Sequence, residues 1–577
     1  MTASLTSASR LAALAEMSSD EGLDVLVIGG GVTGAGVALD AATRGLRTGI
    51  VEAQDWSSGT SSRSSKLVHG GLRYLQMLDF RLVHEALTER DRLINYLAPH
   101  LVKPVPFLYP LEHRVWERAF VGAGVALYDS LATASRGKRA LPFHRHLSKR
   151  GLKRRFPDVQ NDAAVGALQY WDATVDDARL VLTLVRTAVR SGALAAARTQ
   201  VVTMLKDADG RIAGAVLVDL ETGQEYEVRA RHVINATGVW TEETQQLAGT
   251  TGGLKVLASK GIHIVVPRDR IQGKTGLILQ TEKSVLFVIP WARYWIIGTT
   301  DTAWHQQLQH PVANSTDIDY LLDHANAVLA EPLTREDVIG TWAGLRPLLQ
   351  PTSKGDNSPS KVSREHTTAS PLPGLTVIAG GKLTTYRVMA KDAVDFALGK
   401  EAEDMPSVTD RIALLGATDL DATRANAPLW AKKYGWSDTM VSHLLHRYGS
   451  LLNGLVDDIV DEPGLAKPLE HCDAYLRAEI SYAAKHEGVL HLEDVMMHRT
   501  RLNYEVADRG LATLPEIADI VGDVVGWDQT RRAAEIDAYT RRAQAESAAE
   551  REPDDESAEE VRLREGDVAP LRPLNPQ

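Results

Sequence analysis

Gly29-Gly30-Gly31-Val32-Thr33-Gly34 has the spacing G-x-G-x-x-G, and Glu52 follows about 20 residues on. In that pattern the first glycine allows a tight turn and the second lets the backbone approach a pyrophosphate. The third lets a helix pack closely on a strand. The phosphates would lie at the N-terminus of the following helix, where N–H groups point outward. Glu52 would accept hydrogen bonds from ribose hydroxyls and repel the 2′-phosphate of NADP, which leaves NAD and FAD open.

These residues need a β–α–β frame, and the local pattern supplies one. Residues 24–28 are an apolar, β-branched run of the kind buried on both faces of a parallel sheet. Residues 35–43 read as a helix with Gly45 at its C-terminal cap, and 48–52 as a second short strand. The Ser- and Gly-rich stretch from Trp56 to Gly71 has no period and reads as a long ordered loop. Helices are expected over 72–98 and 180–190, and a hairpin over 200–219 around Asp209-Gly210. Residues 232–236 resume the buried-strand pattern before Thr237-Gly238. Strands dominate 260–301, a helix is expected at 316–329, and a last buried strand at 376–379 ends in Gly380-Gly381 before a helix from about Thr385.

After about residue 405 strand patterns vanish and amphipathic helices such as 440–448 and 513–525 take over. Residues 1–20 read as a flexible lead-in, and the acidic, proline-containing stretch 546–577 as a disordered tail.

The chain has 577 residues and a formal net charge of −11, with 44% hydrophobic and 24% charged residues. That is ordinary globular composition, and a net acidic chain is not a general nucleic-acid binder. Its one cysteine, Cys472, permits no intrachain disulfide, Cys-ligated zinc site or iron–sulfur cluster. Few cysteines favour a reducing cytoplasm, and no secretory signal is visible in the first twenty residues. The apolar run 119–128 is shorter than the roughly 18 residues a spanning helix needs. The expected location is the cytoplasm or the inner face of the cell membrane.

Longer motifs then narrow the reading. Gly59-Thr60-Ser61-Ser62, Ser64-Ser65-Lys66-Leu67 and His69-Gly70-Gly71-Leu72-Arg73-Tyr74-Leu75 resemble the FAD-dependent glycerol-3-phosphate dehydrogenases. So do Asn235-Ala236-Thr237-Gly238, Lys260-Gly261-Ile262-His263, Phe287-Val288-Ile289-Pro290-Trp291 and Ile297-Gly298-Thr299-Thr300-Asp301. Gly344-Leu345-Arg346-Pro347, Ser363-Arg364-Glu365 and Gly380-Gly381-Lys382-Leu383-Thr384-Thr385-Tyr386-Arg387 complete the set, in family order over 24–390. The resemblance implies an α/β fold: a discontinuous Rossmann-like FAD-binding domain, an inserted mixed β-sheet substrate domain and an α-helical C-terminal domain. Its segments would be about 21–98, 165–250 and 361–404 for FAD, 99–164 and 251–360 for substrate, and 405–545 for the helical domain. It also implies oxidation of sn-glycerol 3-phosphate to dihydroxyacetone phosphate, hydride transfer to flavin N5, and electrons passed to a quinone.

That reaction must hold a dianionic phosphate and remove a hydroxyl proton. Arg73, Arg346 and Arg364 lie in glycine- or serine-rich contexts, and guanidinium forks bind phosphate bidentately. For the base the candidates are His263, then Lys382, then His69. A histidine can accept a proton near neutral pH, and a lysine among arginines would have its pKa depressed. The family analogy adds Arg346 as a stabiliser of the alkoxide. Thr60, Ser61, Ser62, Ser64, Ser65, Lys66, His69, Gly70 and Gly71 are expected to cradle the flavin. Thr237 and Gly238 would meet its adenine half, and Gly381, Lys382, Thr384 and Thr385 its isoalloxazine.

Two further features bear on partners. Nine Lys or Arg and no acid fall between Arg136 and Arg155, a patch suited to anionic lipid headgroups and without the aromatic interleaving of a nucleic-acid site. His486, His491, Glu493 and His498 lack paired ligand spacing, so no metal site is expected. The alternatives are an oxidase of the same fold that uses oxygen, or an FAD-containing RNA-binding protein. The sequence leaves a homodimer open.

Overall fold

The computed structural model describes residues 3–71, 79–113, 115–133, 139–250, 252–281, 285–350 and 365–574. Among them the glycine-rich unit sits in an eight-stranded sheet. Its central order is His366–Leu372, Leu375–Gly380, Glu225–Asn235, Leu23–Ile28, Thr48–Val51 and Leu194–Ala196, parallel except for the first edge strand. Val25, Leu26 and Val27 are wholly inaccessible, as a strand covered on both faces requires. Helices Val32–Thr43, Asp177–Arg190 and Tyr386–Leu398 cover one face. The hairpin Thr199–Lys206 and Ile212–Asp219 covers the other.

The N-terminal residues belong to this second layer and are no flexible lead-in. Ser7–Met17 is a helix capped by the Thr6 hydroxyl, which accepts the Ser9 N–H at 3.0 Å. Leu14 and Met17 are fully buried, and Arg10 pairs with buried Asp219.

A ten-stranded mixed sheet forms the second body. Val256–Pro267 runs antiparallel to Gly340–Leu349, which sets His263 opposite Trp342 and Ser259 opposite Arg346. Helices Lys149–Arg155 and Ser315–Asn326 seal one face, and Phe80–Arg92 and Trp116–Thr133 the other. Strand Gly166–Thr174 pairs along its whole length with Lys103–Leu111. The stretch 165–174 therefore belongs to the substrate sheet and not to the FAD segment assigned from sequence, because its nine consecutive strand residues extend that sheet and not the parallel one.

Beyond residue 405 helices dominate, with one small hairpin, Pro468–Leu469 with Cys472–Leu476, that the sequence pattern does not show. Buried ion pairs join this region to the FAD-side body. Arg499 grips Asp55 with both nitrogens, at 2.6 and 2.7 Å, and Arg447 and Arg501 converge on Asp176. Burial opposes ionisation of Asp55, yet Arg499 and His498 overcome it and hold its carboxyl far below the usual range. Removing one member of such a pair costs roughly 3–5 kcal/mol, because the other charge stays buried.

The expected tail is also ordered. Helix Gln529–Ala549 leads to a second helix, Asp555–Leu563, whose Arg562 is 1% exposed. A helix cap at Asp554 and ion pairs to distant residues order a segment whose composition alone favours disorder.

Candidate active site

A cavity of about 900 Å³ opens between the two sheets at the ends of Leu23–Ile28 and Thr48–Val51. At its nucleotide end the chain does what the glycine spacing demands. A Cβ on Gly34 would stand 1.8 Å from the Gly29 carbonyl oxygen, so only glycine lets the helix approach the strand this closely. Gly31 caps the helix without a side chain, and the Val32 N–H donates to Ser61 Oγ at 2.9 Å. The helix start thus faces the cavity as an anion cradle. Glu52 accepts the Gly30 N–H at 2.6 Å and the Gln54 N–H at 2.8 Å. Burial pushes its carboxyl above the usual range, against those two hydrogen bonds.

Arg63, which the sequence reading passed over, lines the same cavity. Burial lowers its guanidinium to about 10, helped by Arg542 and opposed by Glu546. The signal was its place inside the serine-rich motif. Thr237 lines the cavity with its hydroxyl bonded to Asn235 Oδ1 at 2.7 Å, beside Gly238.

The opposite end carries the charged set. Arg346 is fixed by hydrogen bonds from Nη2 to Thr299 Oγ1 at 3.0 Å and the Thr300 carbonyl at 2.9 Å, and by an ion pair to Asp301 at 3.2 Å. Gly261 makes room for it, since a Cβ there would lie 2.3 Å from Arg346 Nη2. His263 Nε2 is 2.8 Å from Ser65 Oγ, and its ring stacks on Trp342 at 4.8 Å. Nδ1 has no hydrogen-bond partner among the described residues. Burial, then Arg346 and Lys66, hold the imidazole well below its ordinary pKa, so it is neutral at physiological pH.

His69 and Lys382 line the same end, with Gly381. Thr384 Oγ1 accepts the His69 N–H at 3.1 Å and donates to its carbonyl at 3.2 Å, clamping the loop to the helix start. Thr60 and Ser64 line the wall while bonded to the Leu345 carbonyl and to Asp177. Arg73 and Arg364 lie outside the described residues.

Several expected cofactor contacts stand behind the wall. Lys66 is fully buried, 2.6 Å from Asp177 Oδ1, with the rings of Trp342 and Tyr504 at 5.0 and 5.3 Å. It fixes the loop from behind and does not touch the cavity. Ser62 turns back to the Gly59 carbonyl, and the Gly70 N–H points to the Tyr128 hydroxyl at 2.8 Å. Gly71 and Thr385 are likewise set back from the cavity, with the Thr385 hydroxyl on the Lys382 carbonyl.

The four residues weighed as a metal group are engaged elsewhere, His486 with the Ser4 hydroxyl at 2.8 Å and the other three in ion pairs. His491 lies between Glu221 and Glu535 and is raised to about 10; burial opposes that rise and the two carboxylates overcome it. His498 pairs with Asp55, and Glu493 with Arg198 and Arg542.

A cradle at a helix start, a ribose-reaching carboxylate and a long cavity fit FAD. Residues 24–387 match the family model for FAD dependent oxidoreductase, and 407–532 that for the C-terminal domain of alpha-glycerophosphate oxidase. The chain is 49% identical over 543 residues to glycerol-3-phosphate dehydrogenase 2 of Mycobacterium tuberculosis, covering 94% of this chain and 92% of that protein. It is 36% identical to the human mitochondrial glycerol-3-phosphate dehydrogenase, covering 92% of this chain and 74% of that one. The crystal structure of the Bacillus halodurans glycerol-3-phosphate dehydrogenase complexed with FAD superposes with a TM-score of 0.74 at 28% identity, over 93% of this chain and 97% of that one.

Proposed function

We infer that this chain, which belongs to the FAD-dependent oxidoreductases, oxidises glycerol 3-phosphate to dihydroxyacetone phosphate, and we propose that a quinone takes the electrons. The observation that carries the reading is one continuous cavity with a nucleotide cradle at one end and Arg346, His263, Lys382 and His69 at the other. FAD bound there supplies a ring that accepts hydride from the carbinol carbon. Arg346, with Arg73 and Arg364, supplies the positive charge for the substrate phosphate, and by analogy with the family Arg346 also stabilises the developing alkoxide. His263 takes the hydroxyl proton, and Ser65 Oγ, 2.8 Å from its Nε2, fixes the ring. Its low basicity keeps it in the accepting form, and the neighbouring cations lower the basicity demanded of it. Lys382 and His69 line the flavin end and keep charge balance there.

Electron exit to a membrane quinone is supported by one exposed surface. Along helix Trp116–Thr133 the residues Trp116, Phe120 and Leu127 are 63%, 66% and 38% exposed, at helical spacing on one face. Phe143, 60% exposed, lies under the Arg139 guanidinium at 3.7 Å. Arg145, Lys149, Arg150 and Arg154 are exposed as well, the last three on the helix that seals the opposite face of the sheet, while Arg136 and Lys138 lie outside the described residues. Among the described residues no helix is long and apolar enough to cross a membrane. An exposed apolar helix face, with exposed cations elsewhere on the same body, suits the interface of an anionic leaflet and supports contact with the inner face of the cell membrane.

Stopped-flow reoxidation tests the acceptor. Substrate-reduced enzyme is expected to reoxidise with soluble quinone analogues and not with NAD; peroxide formed in air at the same rate would make it an oxidase. Vesicle co-sedimentation tests the surface. Binding should rise with anionic lipid and fall in Trp116→Glu/Phe120→Glu; indifference to both would overturn the membrane reading.

A further inference from the structure

We propose that residues 553–574, which lie beyond both matched family regions, form a strap whose last turn closes the adenosine end of the FAD cavity. Their path crosses from the substrate body to the nucleotide body. The Glu552 carbonyl accepts the Ser315 N–H at 2.8 Å, and the Pro553 carbonyl accepts the Thr316 hydroxyl at 2.6 Å. Asp555 pairs with buried Lys260 and accepts from Asn314 Nδ2 at 2.7 Å. Asp567 then meets His310 at 2.9 Å.

At residue 572 the chain reaches the strand that carries Gln200 and Val201. The Arg572 N–H donates to Gln200 Oε1 at 2.8 Å, and Gln200 Nε2 donates back to the Arg572 carbonyl at 3.0 Å. The Gln200 side-chain amide thus satisfies both backbone groups of Arg572. Thr199, next to Gln200, bonds through its N–H to the Glu52 carbonyl at 2.8 Å, so the pair sits beside the ribose-binding acid. Leu571, Arg572, Pro573 and Leu574 all line the cavity, and Leu574 packs against the cluster that holds Val201 and Leu247.

Two physical points favour a cofactor wall over a mere tail contact. Adenosine is uncharged, and three of the four lining residues are apolar, the surface that suits a purine ring. Of the acids upstream, which would repel a pyrophosphate, Asp555 and Asp567 are directed to Lys260 and His310. The anchoring is also graded. The helix Asp555–Leu563 is held by buried charges, whereas 571–574 is held by one reciprocal pair, the exposed contacts of Arg572 with Glu225 at 3.3 Å and the Gly223 carbonyl at 3.1 Å, and one apolar side chain. The last turn therefore opens at lower cost than the helix, as a door on a fixed post.

Flavin release from the holoenzyme tests this, read as the rise in free-FAD fluorescence after dilution. Ending the chain after Ala569 should speed release at least tenfold, and Gln200→Ala several-fold. Hydrogen exchange of the full-length chain gives a measurement that does not depend on a truncated protein folding. The amides of Leu571, Arg572 and Leu574 should exchange at least tenfold more slowly with FAD bound than after its removal, with less change in 555–563. Release within twofold of wild type in both variants, or equal exchange of those amides with and without FAD, would overturn the proposal.

Discussion

The two ends of the cavity solve opposite problems. At the nucleotide end the partners are backbone: Gly31 at a bare helix start, the Gly30 and Gln54 N–H groups on Glu52, and a strand–helix contact that only Gly34 allows. At the substrate end they are long side chains on sheet strands, held by other side chains: Arg346 by Thr299 and Asp301, His263 by Ser65 and Trp342. A cofactor that stays bound can be gripped by close backbone approach. A substrate that turns over needs fixed charges set in a space it can enter and leave. Errors at the first end should cost the flavin, and errors at the second should cost the rate.

The sharpest break of that comparison is Gly34→Ala. Its Cβ would collide with the Gly29 carbonyl, and the yield of flavin-loaded protein should fall at least about tenfold, read from the flavin-to-protein absorbance ratio. At the other end, Arg346→Ala should keep its flavin and lose about 10²–10³ in kcat/KM, the usual range for a donor aimed at developing negative charge. Arg346→Lys should recover only part, since an ammonium cannot hold the Thr299 and Asp301 bonds together.

Glu52→Ala should raise the FAD dissociation constant roughly tenfold, about 1.4 kcal/mol, with kcat at saturating FAD unchanged. A rate loss without flavin loss would break the division between the ends.

The smallest effect concerns pH. His263, the proposed base, is neutral, with its folded pKa well below 6.5. As pH falls through 6.5 a free imidazole would lose half its accepting form, but His263 keeps nearly all of it. Anaerobic flavin reduction at saturating substrate should show no histidine inflection between pH 8 and 6. An inflection near 6.5 that vanishes in His263→Asn would show the ring to be more solvated than its burial implies.

How much was legible in the sequence follows the same division. The nucleotide end was readable because each glycine answers a local steric demand within one β–α–β unit. The substrate end was visible as motifs, but which member of a motif faces the cavity depends on distant partners. Lys66 was expected at the flavin and is turned away by Asp177, a residue 111 positions on. Arg63, two residues after Ser61, faces the cavity and was passed over. Both chain ends read as loose from composition, the first because it is small and polar and the last because it is acidic and contains prolines. Their order comes from pairs such as Arg10 with Asp219, Lys260 with Asp555 and Gln200 with Arg572, which no local window contains.

The central claim is that the charged end of the cavity presents a phosphorylated alcohol to bound FAD. Anaerobic titration of the purified yellow enzyme tests it most directly. Glycerol 3-phosphate should bleach the flavin band stoichiometrically, while glycerol at the same concentration leaves it intact. No bleaching by glycerol 3-phosphate, or equal bleaching by glycerol, would contradict the account.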